Sequence, residues 1–179
     1  MLLVVLVVVA VGAALFEPWR AFTDSTVDEA APSASVEPSG TPAASTPAPR
    51  EPHDDQTSEQ PADPPRDRVL GQGRFEDAEH GTDGVATILE LADGRRFVRL
   101  EDLATSDGPD LHVWVTDQPS GGDWSSYDDG RYLRLGELKA NNGNQNYEIP
   151  AKADLAGLTS VVIWCDRFNV AFGTAPVEL

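Results

Sequence analysis

The sequence predicts an all-β protein: a single β-sandwich or barrel-like domain of about eight strands over residues 69–179, preceded by an N-terminal membrane helix and a disordered linker. Three observations carry this expectation. Residues 1–16, MLLVVLVVVAVGAALF, contain no charged side chain. Residues 20–68 are dominated by Pro, Ala, Ser, Thr and acidic residues. From Val69 onward, short alternating apolar runs are bounded by Gly, Asp, Asn and Pro, the pattern of strands and turns rather than helices.

The apolar run places a transmembrane anchor or signal segment over residues 1–19. Sixteen residues at about 1.5 Å each reach roughly 24 Å, somewhat short of a hydrocarbon core of about 30 Å. Gly12, Ala13 and Ala14 form a weak cleavage site, whereas Phe16, Pro18 and Trp19 resemble an interfacial edge with an aromatic anchor. An uncleaved, single-pass anchor in the cell membrane is therefore expected. Arg20 is the nearest cation and lies on the C-terminal side, which opposes an external C-terminus; the acidic remainder favours one, and an extracytoplasmic C-terminal domain is the expectation.

Residues 20–68 contain too few apolar side chains to offset the entropy of ordering. Proline and acidic self-repulsion make such a spacer semi-extended, with a limiting reach of roughly 140 Å for about 45 residues. Its role would be to hold a domain away from a membrane. His53, Asp54 and Asp55 form a polar cluster whose simplest reading is solvated charge. The segment TVDEAAP, near the start of the tract, is less random than its surroundings.

In the β unit, Val85–Leu91 and Arg95–Leu100 flank an Asp93-Gly94 turn and form the clearest hairpin. Further strands are expected at Gly71–Glu76, Leu111–Thr116, Arg131–Leu135, Asn146–Ile149, Ser160–Cys165 and Phe168–Gly173. Short helical or turn elements are expected at Leu100–Ala104 and Lys152–Leu158. In SVVIWC both faces are apolar, which marks a central strand, with Val161, Ile163 and Cys165 on one side and Val162 and Trp164 on the other. Asp166 and Arg167 would then turn the chain into FNVAFG.

A formal charge of -17 excludes sequence-independent binding to nucleic acid, because phosphate neutralisation needs clustered Lys and Arg. One cysteine cannot close an intramolecular disulfide, so the fold must rest on its core. Cys165 has two readings: a small hydrophobe in a core, or a functional thiol in an exported protein. Asp107 and Asp110, beside the Gly108-Pro109 turn, are turn caps or calcium ligands, and Asp123, Asp128 and Asp129 offer the same alternatives. The amide-rich loop in LGELKANNGNQNYEIP is what a tight turn needs. Neither CxxC nor GxSxG occurs, which excludes thioredoxin-like exchange and a nucleophile-elbow hydrolase.

Taken together, GPDLHVWV, LGELKANNGNQNYEIP and SVVIWCDRFNVAFGTAPV resemble the DM-thirteen domain, also called the electron transfer DM-thirteen domain, over nearly all of residues 70–179. GRFEDAEHGTDGVATI is similar to the family's opening strand and turn, including its histidine, here His80, and TVDEAAP is similar to a segment that often precedes the domain in bacterial, membrane-anchored members. The resemblance implies a cell-surface module with a redox or electron-transfer role centred on Cys165, as a free thiol or as ligand to a prosthetic group such as haem. Cys165 is then the candidate redox thiol, with His80, Trp164 and Phe168 as candidate cofactor-binding residues and Phe172, Trp114 and Tyr147 as further pocket walls. Arg167 would depress the thiol pKa if it shared its face. The partners implied are the membrane, through the N-terminal helix, and a redox protein or small ligand. The alternative is a non-catalytic ligand-binding or adhesion module in which Cys165 is structural; either way a module is expected rather than a turnover enzyme.

Overall fold

The computed structural model describes residues 4–7, 24–34 and 66–179. Among these described residues, ten strands form two five-stranded sheets. They are β1 (Thr26–Asp28), β2 (Arg68–Arg74), β3 (Glu76–Asp77), β4 (Thr82–Glu90), β5 (Arg96–Thr105), β6 (Leu111–Thr116), β7 (Tyr132–Glu137), β8 (Asn142–Ile149), β9 (Ser160–Cys165) and β10 (Val170–Pro176). One sheet has the order β1-β8-β5-β4-β2 and the other β3-β10-β9-β6-β7. The all-β class holds, as a sandwich. The two strands beyond the expected eight are the very short β1 and β3.

The hairpin β4–β5 forms where alternation predicts it, and Gly94 takes φ 83°, a conformation that costs glycine little. Its N–H donates to the Leu91 carbonyl at 2.8 Å. The expected helical turn at Leu100–Ala104 is instead the end of β5: a bulge between Leu100 and Leu103, with Asp102 at φ 50°, breaks the alternation and imitates a helical spacing. Lys152–Leu158 contains turns only. Asp166-Arg167 is not a two-residue turn, because Val170 pairs with Cys165 and the connection spans Asp166 to Asn169.

Between the sheets lies the main core, with Ile88, Val98, Leu100, Val113, Val161, Ile163, Cys165 and Phe172 among its buried members. At about 25 cal/mol per Å², burying each of these aliphatic or aromatic side chains contributes roughly 1.5–3 kcal/mol, the main force holding the sheets face to face. The outer face of β6 and β9 carries a second cluster, Trp114, Val162 and Trp164, joined by Ala171 of β10 and by Tyr127 from the β6–β7 connection. Apolar cover on both sides makes β9 the central, fully buried strand that its composition predicts.

Part of the tract expected to be linker belongs to the sandwich. Thr26–Asp28 runs parallel to β8 at the sheet edge, with Val27 paired to Gly143. Backbone bonds from Asn142 N–H to Ser25 and from Glu29 N–H to Asn144 extend the ladder, and Lys139 Nζ binds the Glu29 carboxylate at 2.7 Å. Composition conceals this strand because its affinity comes from main-chain pairing to an open edge, not from apolar side chains. Among the described residues no helix is long and apolar enough to cross a membrane; of the expected anchor at 1–19 only residues 4–7, which are helical, are described, and the rest of it and most of the spacer lie outside the described residues.

Candidate functional site

Cys165 ends β9 and contributes to the intersheet core beside Leu111, its register partner on β6. Its accessible surface is 0%, yet the next four residues form a solvent-facing turn, so the sulfur sits one turn below the surface. The backbone amides of Phe168, Arg167 and Asp110 lie on the sulfur's side and act to lower its pKa. Burial, the dominant effect, nevertheless pushes the thiol above its ordinary pKa; the amides oppose this, and the Asp110 charge adds to it. The thiol is therefore protonated at neutral pH. Arg167 acts on it through its backbone N–H rather than as the cationic neighbour the sequence suggested.

The turn is fixed at both ends. Asn169 donates its N–H to the Cys165 carbonyl at 2.9 Å and adopts φ 55°, and Asp166 donates its N–H to the Asp110 carbonyl at 3.0 Å. Phe168, at its apex, is 50% exposed. His80 follows β3 and packs its ring 4.1 Å from the ring of Phe172, with Nε2 3.9 Å from Glu79. Phe172 is thus shared: its ring packs at a tilt against His80, and it belongs to the core that contains Cys165.

The candidate haem-pocket residues do not surround one space. Trp164 and Trp114 lie in the outer cluster, across the sheet from Cys165. Tyr147 is in the opposite sheet, donates its hydroxyl to Gln145 Oε1 at 2.7 Å, and has its pKa driven far above the ordinary range by burial. Phe168 faces solvent. A cavity of about 440 Å³ opens nearby, lined by polar groups including Asp107, Asp110, Glu137, Lys139 and Asn141, but neither Cys165 nor His80 lines it. A haem ring needs an apolar slot reaching its axial ligand, and these residues do not fit one.

Two arrangements escaped sequence reasoning. The first is a ring stack. Trp114 lies 4.4 Å from Tyr132 and 4.8 Å from Trp164, and the Arg134 guanidinium is 5.0 Å from the Trp114 ring. Strand alternation placed Trp114 and Trp164 on outward faces, but their contact required the register that sets His112 opposite Trp164. The second is a polar cluster at the adjoining strand ends: His112 Nε2 lies 2.9 Å from Asp110 Oδ1 and 3.3 Å from Asp166 Oδ2. Only pairing of β6 with β9 joins residues so far apart in the chain.

Two of the residues offered as turn caps or calcium ligands, Asp107 and Asp123, cap turns. Asp107 Oδ1 accepts the Gly108 N–H at 2.8 Å. Asp123 Oδ1 accepts both the Ser125 N–H and hydroxyl, which hold its carboxyl below the usual range. The Asn-rich loop is likewise structural: Gln145 Nε2 donates to the Ala140 carbonyl at 2.7 Å, and Asn141 Oδ1 accepts the Ser25 N–H at 2.7 Å.

The family model described as Electron transfer DM13 matches residues 74–177. No curated protein and no solved structure matches the chain.

Proposed function

We propose, for a chain that belongs to the Electron transfer DM13 family, that this β-sandwich is a redox module whose sulfur at position 165 changes oxidation state when the Asp166–Asn169 turn opens. The observation that carries the reading is the placement of Cys165 as the last residue of β9, buried directly before the solvent-facing Asp166–Asn169 turn, where the backbone amides of Phe168, Arg167 and Asp110 oppose the rise that burial imposes on the thiol pKa. Opening that turn would bring the sulfur to solvent with backbone amides beside it to stabilise developing negative charge.

The chemistry balances with a peroxide-class oxidant. The Cys165 sulfur attacks one peroxide oxygen, the O–O bond breaks, and sulfur loses two electrons to become a sulfenic acid. The other oxygen leaves with the thiol proton as water. A partner thiol then attacks the sulfenic sulfur, water departs, and a mixed disulfide remains; a second thiol regenerates Cys165. Residues 1–19 would hold the module at the cell membrane, with the spacer setting its reach outside.

The test is intact-mass spectrometry of the full chain after peroxide treatment with a dimedone trap. One adduct is expected in wild type and none in Cys165→Ser. Absence of an adduct from folded wild type, with full labelling in denaturant, would overturn the reading.

A second reading is favoured by the complete burial of Cys165 among apolar side chains. In it the cysteine only packs, and the exposed Trp124 and Tyr132 present a binding surface for a ligand or an adhesion partner. Cys165→Ala would then leave binding intact.

A further inference from the structure

We propose that Asp110, His112 and Asp166 form a binding site for a divalent transition-metal ion such as Zn²⁺ or Mn²⁺. Among the described residues these three bring one ligand atom each to within 4.8 Å of one another. The spacing is informative. Ligands about 2.1 Å from a shared ion stand about 3.0 Å apart at right angles and about 3.4 Å apart at the tetrahedral angle. The two edges from His112 Nε2, 2.9 Å to Asp110 Oδ1, which is a hydrogen bond in the ion-free protein, and 3.3 Å to Asp166 Oδ2, are already close to those values, so an ion could replace the shared proton with little movement.

Paired strands bring the ligands together. His112 lies on β6 with its side chain only 15% exposed, and Asp166 directly follows β9. The bond from Asp166 N–H to the Asp110 carbonyl, at 3.0 Å, clamps the two carboxylate-bearing segments together. Asp110 also lines the polar cavity of about 440 Å³, which leaves room for water or a small ligand at the remaining coordination positions. Two carboxylates balance a divalent charge, and one imidazole nitrogen turns the preference toward zinc-like ions and away from calcium, which takes six to eight oxygens.

Arg134 competes. Its guanidinium contacts Asp166 Oδ2, the same oxygen that faces His112. It therefore supplies, in the ion-free protein, part of the positive charge that a metal would bring. Its side chain is about half exposed and lies over the Trp114 ring, a contact that does not depend on Asp166 and is kept if an ion takes that oxygen. A competitor of this kind gives the site a distinctive signature.

Isothermal titration of the full chain with Zn²⁺ in a non-chelating buffer, alongside the absorption of a Co²⁺ complex, tests the assignment. One ion per chain is expected. His112→Ala and Asp166→Asn should each weaken binding at least tenfold, Arg134→Gln should strengthen it severalfold, and Cys165→Ser should leave both affinity and spectrum unchanged. Shifts of the His112 ring signals in wild-type protein on adding Zn²⁺ give a reading that needs no variant. Binding that survives His112→Ala unweakened would place the ion elsewhere, on His53 or the acidic tract, and overturn the proposal. So would a sulfur-to-cobalt charge-transfer band lost in Cys165→Ser, or no binding up to about millimolar Zn²⁺.

Discussion

Asn169 closes the chain over Cys165 by donating its backbone N–H to the cysteine carbonyl at 2.9 Å while holding φ 55°. Asparagine tolerates that left-handed backbone, and a β-branched residue does not. Asn169→Val should therefore destabilise the turn by about 1–2 kcal/mol and accelerate alkylation of Cys165 about tenfold in the folded protein, whereas Asn169→Gly should change stability by only a few tenths. Thiol labelling timed by mass spectrometry checks both, and equal rates in the two variants would show that the turn does not gate the sulfur.

Removing the sulfur itself separates packing from chemistry. Cys165→Ala deletes one buried heavy atom beside Leu111, and a loss of about 1–2 kcal/mol in chemical denaturation is expected. The midpoint should move without a change in the denaturant slope. A larger loss would mean that the thiol holds the chain around the Asp166–Asn169 turn by more than its packing.

Gly173 sits where a side chain has no room. A Cβ there would lie 2.4 Å from Cβ and 2.6 Å from Oγ1 of Thr82, whose hydroxyl pairs with that of Thr105 at 2.8 Å. Gly173→Ala should cost about 2–3 kcal/mol, read as a lowered denaturation midpoint, because Thr82 is buried and cannot swing away.

Among the described residues, the Trp114 indole N–H is buried with no hydrogen-bond partner. Its replacement by phenylalanine removes that unsatisfied donor as well as some ring area, so the two effects oppose each other. Trp114→Phe should fall within about 1 kcal/mol of wild type, far less than the 3–5 kcal/mol typical of truncating a buried aromatic. Its thermal midpoint should follow.

Acid should release β1. Glu29 has its pKa lowered chiefly by the Lys139 ammonium, with help from the Asn146 N–H at 2.7 Å. A folded-state pKa below the unfolded one gives a contribution that is complete above the ordinary carboxylate value of about 4.3 and fades as pH falls through the lower folded value. The pair is partly exposed, so the effect is modest. The protection factor of the Asn142 amide, which donates to Ser25, corrected for the intrinsic exchange rate at each pH, should fall between about pH 5 and 3 in wild type and lose that dependence in Glu29→Gln.

The main strands were legible because alternation is a local property: β4, β6 and β9 appear as runs whose buried positions match the apolar ones. The sites of error are those where local pattern and tertiary pairing part. Leu100–Ala104 looked helical because a bulge shifted the period, and Thr26–Asp28 looked unstructured because an edge strand needs only main-chain partners. At the candidate site, Cys165 and its burial could be read from SVVIWC. The cluster of Asp110, His112 and Asp166 could not, since it exists only once β6 and β9 are in register.

The central claim, that the Cys165 sulfur reacts by local opening of the turn above it, is tested most directly by the urea dependence of its peroxide oxidation under native conditions. If the Asp166–Asn169 turn opens alone, little surface is exposed, and the oxidation rate should stay nearly flat across low urea concentrations. A rate that instead climbs with the full equilibrium denaturant slope would mean that the sulfur is reached only by global unfolding, and Cys165 would be a core residue without a redox role.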